Sequence, residues 1–158
     1  MRITNILFGV LVFLLNFFWE SWHGAYLYEG YYGAGPGSLN SLKGFVALIT
    51  YASFVDMVLL MVIVLGGVLV WRDQWWSNMD KNKYAYFVIA AVTIAVIIEV
   101  KAIHIFGEWA YNSSMPTLFG LGLSPLLQLA ATGLVALGLT RCLLLSKING
   151  EENTKGGD

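Results

Sequence analysis

Long apolar runs without charges constrain this chain more than any other feature. Residues 3–19 and 109–140 carry no charged side chain, and residues 44–71 carry only Asp56. A helix needs about 17–25 mostly apolar residues to cross a bilayer, and its backbone groups then bond to one another. The runs are too uniformly apolar for the alternating strands of a membrane β-barrel. We therefore predict an all-α membrane protein, a bundle of four transmembrane helices at residues 4–24, 44–71, 84–106 and 121–145.

Composition excludes several other classes of protein. The 158 residues are 58% apolar and 12% charged, whereas soluble domains are about 45–50% apolar and about 25% charged. This excludes a disordered chain and an ordinary soluble enzyme. The net charge of −1 provides no field to attract nucleic acid. The single cysteine, Cys142, excludes an intrachain disulfide and therefore the membrane oxidoreductases that use paired thiols.

The distribution of basic residues predicts how the chain sits in the membrane. Cytoplasmic loops are enriched in Lys and Arg, which predicts that both termini are cytoplasmic, in a multi-pass protein of the plasma (inner) membrane. The first run has too long an apolar core and too poor a cleavage site for a secretory signal peptide, the alternative for that segment. The residues assigned to the cytoplasmic side are Arg2, Arg72, Lys81, Lys83, Arg141, Lys147 and Lys155.

Domain organisation is simple. Residues 1–146 form one transmembrane domain, and residues 147–158 form a polar cytoplasmic tail that we expect to be disordered. Aromatic residues would form a belt at each membrane surface. The inner belt would consist of Trp71, Trp75, Trp76, Tyr84 and Tyr86.

Ionisable residues within the spans need an explanation, because each costs at least about 2.5–3.5 kcal/mol on insertion. Helix one carries Asn16, Glu20 and His23 at a spacing that places them on one face. Helix three carries Lys101, His104 and Glu108, also on one face, with Glu99 on a different face. Helix two carries Asp56, and helix four carries Gln128.

All of these groups fall in the outer half of the bilayer under the predicted orientation, over an almost purely apolar inner half. A continuous ion path would need polar groups on both sides, so the pattern favours an outward-facing pocket for a small or lipid-soluble ligand. Buried carboxylates and histidines suit proton transfer. The predicted catalytic residues are Glu20, Asp56, Glu99, His104 and Glu108, with His104 as proton carrier. The predicted ligand-binding residues are Asn16, Tyr28, Trp109, Tyr111 and Gln128.

Three other interpretations stay open. In a non-catalytic structural or scaffold protein, a glutamate would pair with Lys101, and Asp56 would bond to Thr50 or a tryptophan, to fix helix packing. A metal site would use Glu20 with His23 and His104 with Glu108, but two histidines without a thiolate indicate a metal only weakly. Transport through a homo-oligomer conflicts with the apolar inner half. The residues identify no particular cofactor. The partners they imply are the lipid bilayer and a lipid-soluble small molecule, and a homo-oligomer stays open.

Two short segments look like a duplication. The segments WESWHGAYLY and GEWAYNSS both follow outward-running helices. If they are related, Glu20 and Glu108 would be partners about one shared cavity. The loop before helix four, with Met115, Pro116 and two glycines, would pack over that cavity as a lid, and Ser124 would cap helix four.

The same segments carry a family resemblance. The chain resembles a family of small, uncharacterised bacterial inner-membrane proteins with a Trp-Glu and Leu-Tyr motif ending the first helix. Before and within the fourth helix, that family has Trp-x-Tyr, Met-Pro and a Gly-Leu-Ser-Pro-Leu-Leu-Gln run. The resemblance implies a location and a fold but no reaction. The matching positions are Trp19, Glu20, Leu27, Tyr28, Trp109, Tyr111, Met115, Pro116 and 122–128.

Overall fold

Four helices form the body of the molecule and pack together. The structure, a computed structural model, describes residues 3–32, 37, 39–72 and 75–155. Each helix contains a stretch that is long and apolar enough to cross a membrane, so the predicted four-span architecture is confirmed at that level. The helices are α1 (Ile3–Tyr26), α2 (Leu42–Trp71), α3 (Lys81–Val100) and α4 (Leu123–Lys155).

Local sequence explains where two of these helices begin. The Ser41 hydroxyl accepts a hydrogen bond from the Gly44 backbone N–H at 3.1 Å and caps α2. The Asp80 carboxylate accepts hydrogen bonds from the backbone N–H groups of Asn82 and Lys83, at 2.9 and 3.1 Å, and caps α3. Such side chains satisfy the backbone donors that the first helical turn leaves free.

Helix α1 packs against α2 and α4, and helix α3 packs against the same two helices. Each helix therefore has two main neighbours. The core between them is apolar, with Val12, Leu60, Phe87, Ala91 and Ala136 fully covered. Small residues on α3 and α4 let these helices approach closely, as membrane helices require. A Cβ atom on Gly133 of α4 would lie only 2.6 Å from the Phe87 ring of α3.

The aromatic group after α2 lies inside the protein rather than at its surface. Trp75 and Trp76 are 3% and 9% exposed, and the Trp75 indole N–H donates to the Val64 carbonyl at 3.0 Å. The prediction that both residues belong to a surface belt is therefore wrong. Gly67 makes this packing possible, since a Cβ atom there would lie 2.2 Å from the Trp75 ring.

Two small antiparallel sheets cover the end where α1 ends and α4 begins, which we call the strand end. Strand β1 (Tyr28–Tyr31) pairs with β2 (Trp109–Tyr111). Strand β3 (Thr117–Leu118) pairs with β4 (Leu121–Gly122). Phe119 and Gly120 join β3 to β4 with φ of 53° and 78°, the signs that a tight hairpin turn requires. Strands of two to four residues leave no periodicity in a sequence, which is why these were not predicted.

Both ends of α4 differ from prediction. Its backbone continues as a helix to Lys155, past the predicted end at residue 145. It begins at Leu123, so Ser124 lies in the first turn and is not its cap. Arg2 and residues 156–158 of the predicted disordered tail lie outside the described residues.

Candidate functional site

A cavity lies at the strand end among all four helices. Its volume is about 510 Å³, within the range of about 300–1,000 Å³ typical of small-molecule sites. Four carboxyl groups line it, together with aromatic and aliphatic side chains. The polar and aromatic lining residues are Glu20, Tyr28, Tyr31, Tyr51, Asp56, Glu99, Lys101, Glu108, Trp109 and Gln128.

The Gln128 amide connects the polar residues of three helices. Its Nε2 donates to Glu20 Oε1 at 2.6 Å, to Asp56 Oδ2 at 2.8 Å and to Asn16 Oδ1 at 3.1 Å. Gln128 is 4% exposed and Asn16 is fully covered. The amide of α4 thus bonds to α1 and α2 at one point, where polar groups away from water need partners.

Oxygen acceptors outnumber hydrogens in this network. The amide NH₂ has two hydrogens but lies within bonding distance of three oxygens. The single hydroxyl hydrogen of Thr132 also faces two oxygens, Asn16 Oδ1 at 3.2 Å and the Gln128 carbonyl at 2.8 Å. A further hydrogen must come from a proton on a carboxyl group or from a donor in the cavity.

A second polar group forms where α3 meets the strands. Glu99 is 3% exposed, and its carboxylate accepts a hydrogen bond from the Tyr111 hydroxyl of β2. That hydroxyl also accepts from the Gly122 backbone N–H at 3.1 Å. Strand pairing brings Tyr28 beside Tyr111 and Trp109, with ring centroids 5.6 and 6.2 Å apart. The β1–β2 sheet therefore supplies an aromatic wall next to a buried carboxylate.

The field in this region is negative, as Tyr28 shows. Burial raises the pKa of the Tyr28 hydroxyl well above its ordinary value, and the nearby Glu20, Glu99 and Asp56 carboxylates raise the pKa further. The hydroxyl therefore stays protonated at neutral pH and can donate a hydrogen bond.

A π-helical turn at Lys101–Phe106 decides which residues of α3 reach the cavity. The Glu108 N–H bonds to the Ala102 carbonyl at 2.8 Å, and Gly107 adopts a φ of 60°. A π turn is wider than an α turn and shifts the spacing of residues on a face. Glu99, Lys101 and Glu108 line the cavity, and His104 is exposed and does not. The prediction of a shared face for Lys101, His104 and Glu108, with Glu99 elsewhere, is wrong for this reason.

The ion pairs of the packing interpretation do not occur in the described part of the chain, where the acids of the cavity pair with no basic side chain. The Lys101 ammonium instead lies 5.3 Å from the centre of the Phe106 ring. The hydroxyls of Thr50 and Ser53 donate to backbone carbonyls of their own helix, not to Asp56. Asp56 receives its hydrogen bond from Gln128 across the bundle.

His23 lies outside the cavity lining in its own buried site. Its Nε2 accepts a hydrogen bond from the Trp19 indole at 2.7 Å and lies 2.6 Å from the Ser124 hydroxyl. An indole N–H only donates, so the His23 ring is neutral with its proton on Nδ1. No group of three potential ligands suited to a metal ion exists among the described residues. The weak metal candidates His23 and His104 thus do not come together with the acids.

Most of the predicted site residues meet at the cavity. Glu20, Asp56, Glu99, Glu108, Tyr28, Trp109 and Gln128 line it, while Asn16 and Tyr111 bond to lining residues. Sequence reasoning missed the contact of His23 with Ser124, although Ser124 belongs to the Gly-Leu-Ser-Pro run. It also missed the apolar wall, because residues such as Ala52 and Val55 resemble any lipid-facing positions.

Comparison of the chain with protein-family models, with curated proteins and with solved structures finds no match.

Proposed function

We propose that this protein binds a small or lipid-soluble molecule in the cavity at the strand end. The observation that carries the proposal is the cavity itself, about 510 Å³ in volume and lined by four carboxyl groups together with apolar and aromatic side chains. Ligand sites in proteins are mostly apolar concavities with a few convergent polar groups. An amphiphilic molecule has both kinds of surface.

The proposal includes a place in the cell. With both termini cytoplasmic, as the Lys and Arg distribution predicts, the cavity would lie in the outer half of the plasma membrane. The resemblance to small bacterial inner-membrane proteins supports that location and adds nothing about the ligand.

A second candidate function is acid–base catalysis on the bound molecule. The observation that favours it is the position of Glu20 and Asp56, whose carboxyl oxygens both bond to one nitrogen, Gln128 Nε2. Two adjacent carboxyl groups can take up and release a proton, as a general acid or base must. His104 has no part in this version, because it does not line the cavity.

The competing interpretation is a scaffold whose polar network only fixes helix packing. Gln128 connects α1, α2 and α4, and such a network can specify one packing arrangement. That interpretation requires the three helices to meet, but it gives no reason for an adjoining cavity of this size.

A cavity-filling variant tests ligand binding directly. Ala52 lines the cavity on α2, whereas Ala47 lies on an exposed face of the same helix. We expect native mass spectrometry of detergent-purified protein to show a bound molecule in the wild type and in Ala47→Trp but not in Ala52→Trp. All three proteins should fold and purify alike, since the tryptophan occupies open space. A wild type that carries no molecule after mild extraction from its own membrane would contradict the proposal.

A further inference from the structure

The charges of the cavity and its hydrogen-bond demand point to one class of ligand. We infer that the cavity takes an organic cation, an apolar molecule with a protonated amine at one end. This inference rests on the proposed function and specifies what is bound.

The first argument is the balance of charge. The cavity is lined by the carboxyl groups of Glu20, Asp56, Glu99 and Glu108, against one basic side chain, Lys101. Lys101 is exposed, and its ammonium lies over the Phe106 ring and pairs with none of these acids in the described chain. Carboxylates that are partly withdrawn from water and lack a basic partner are costly, so a cation that enters the cavity would offset that cost.

The second argument is independent of charge and concerns hydrogen bonds. Three oxygens share the two hydrogens of the Gln128 amide, at 2.6, 2.8 and 3.1 Å. Asn16 and Gln128 are almost completely covered, whereas Glu20 and Asp56 are half-buried and line the cavity, so a donor in the cavity can reach their oxygens. A protonated amine beside Glu20 and Asp56 would donate the missing hydrogen in a charge-assisted bond.

The remaining walls suit the rest of such a molecule. Tyr28 and Trp109 present adjacent aromatic rings, with centroids 6.2 Å apart, and aromatic faces attract cations. Aliphatic side chains of α2 and α4 also line the cavity, among them Val55, Ile49 and Leu129. An alkyl or ring system attached to the amine would pack against them.

A metal ion is the alternative cation, and the geometry disfavours it. No three of the His, Cys, Asp and Glu side chains in the described ranges converge as metal ligands would. The acids instead lie around a cavity far larger than a metal ion needs. A cation whose charge is attached to an apolar body matches both the spacing of the acids and the volume.

Matched amphiphiles test this inference. We would measure binding of octylammonium, octyltrimethylammonium, octanol and octanoate to the protein in nanodiscs by calorimetry, with empty nanodiscs subtracted. Octylammonium should bind saturably and at least about tenfold more tightly than octanol, the gain of one hydrogen bond to a charged group. Octanoate should not bind. Octyltrimethylammonium, which has charge but no N–H, should fall between octylammonium and octanol.

Variants locate the binding. Asp56→Asn and Glu20→Gln should each weaken octylammonium binding about tenfold or more, the value of one charge-assisted hydrogen bond. The control is Glu29→Gln, which removes an exposed acid of β1 that does not line the cavity, and it should leave binding unchanged. Equal binding of octanol and octylammonium, or no saturable binding of octylammonium, overturns the inference. A neutral co-purifying molecule that Ala52→Trp excludes would leave the proposed function standing while this inference fails.

Discussion

At the scale of the residue, one amide connects polar side chains of three helices. Gln128 donates to side chains of α1 and α2 from a position on α4. Its partners are an uncharged amide and two carboxyl groups. Among the described residues, only the Asn16 amide oxygen has another side-chain donor, the Thr132 hydroxyl. The loss of this amide would leave three oxygens poorly satisfied at once.

We expect Gln128→Leu to destabilise the protein although the two side chains are similar in size. Leaving buried acceptors without their donor costs about 1–3 kcal/mol, and we predict about 2 kcal/mol of lost unfolding free energy, measured in detergent. Leu127→Ala, half exposed on the same helix, is the control and should change stability by less than about 0.5 kcal/mol. Combining Gln128→Leu with Asp56→Leu should cost less than the sum of the single changes, because the two residues share a bond. Strict additivity would contradict the network.

At the scale of the element, the sequence predicted the helices well and the cavity only partly. An uncharged apolar run indicates a membrane span independently of the tertiary contacts of that helix. The sequence therefore predicted all four helices. The face of a residue depends on an unbroken helical period, and the π turn at Lys101–Phe106 breaks it. Glu99 before this turn and Glu108 after it both line the cavity, although an unbroken α-helical spacing would place them on different faces. The pairing of β1 with β2 is a tertiary contact between distant segments, which no local pattern contains.

The cap of α3 provides a prediction on pH at the same scale. The pKa of Asp80 lies below its ordinary value of 3.8. The main cause is the hydrogen bond from the Lys83 backbone N–H, and the Lys83 ammonium and the Asn82 N–H contribute less. Because this pKa is lowered, the ionised carboxylate stabilises the helix at pH values above the ordinary pKa. The stabilisation is lost as the pH falls through the lowered pKa. The first turn of α3 should therefore fray in acid.

Hydrogen exchange would measure this fraying. We expect the amides of Asn82 and Lys83, corrected for intrinsic rates, to lose protection below about pH 4, where carboxyl groups take up protons. Asp80→Asn keeps a capping oxygen that does not titrate, so its protection should not change over that range. Asp80→Ala should be unprotected at every pH. If the Asn82 and Lys83 amides of Asp80→Asn also lost protection in acid, a group other than Asp80 would be responsible for the fraying.

At the scale of the whole molecule, polarity is divided between the two ends. The buried polar side chains of the described residues lie towards the strand end, with the exception of Thr140. The opposite half is filled by Phe8, Ile63, Val64, Phe87 and the buried tryptophans. No chain of polar groups runs the length of the described core, so the fold suits a site open to one side of a membrane better than a path across it.

Labelling of single cysteines can determine which side of the membrane the strand end faces. The background would be Cys142→Ser, which removes the one native thiol. Glu29→Cys is exposed at the strand end and Asn78→Cys is exposed between α2 and α3. If the basic residues set the orientation, a membrane-impermeant maleimide should label Glu29→Cys in intact cells and Asn78→Cys only after permeabilisation. The reverse pattern would place the cavity towards the cytoplasm. Its ligand would then have to come from inside the cell, although the chemistry of the pocket would be the same.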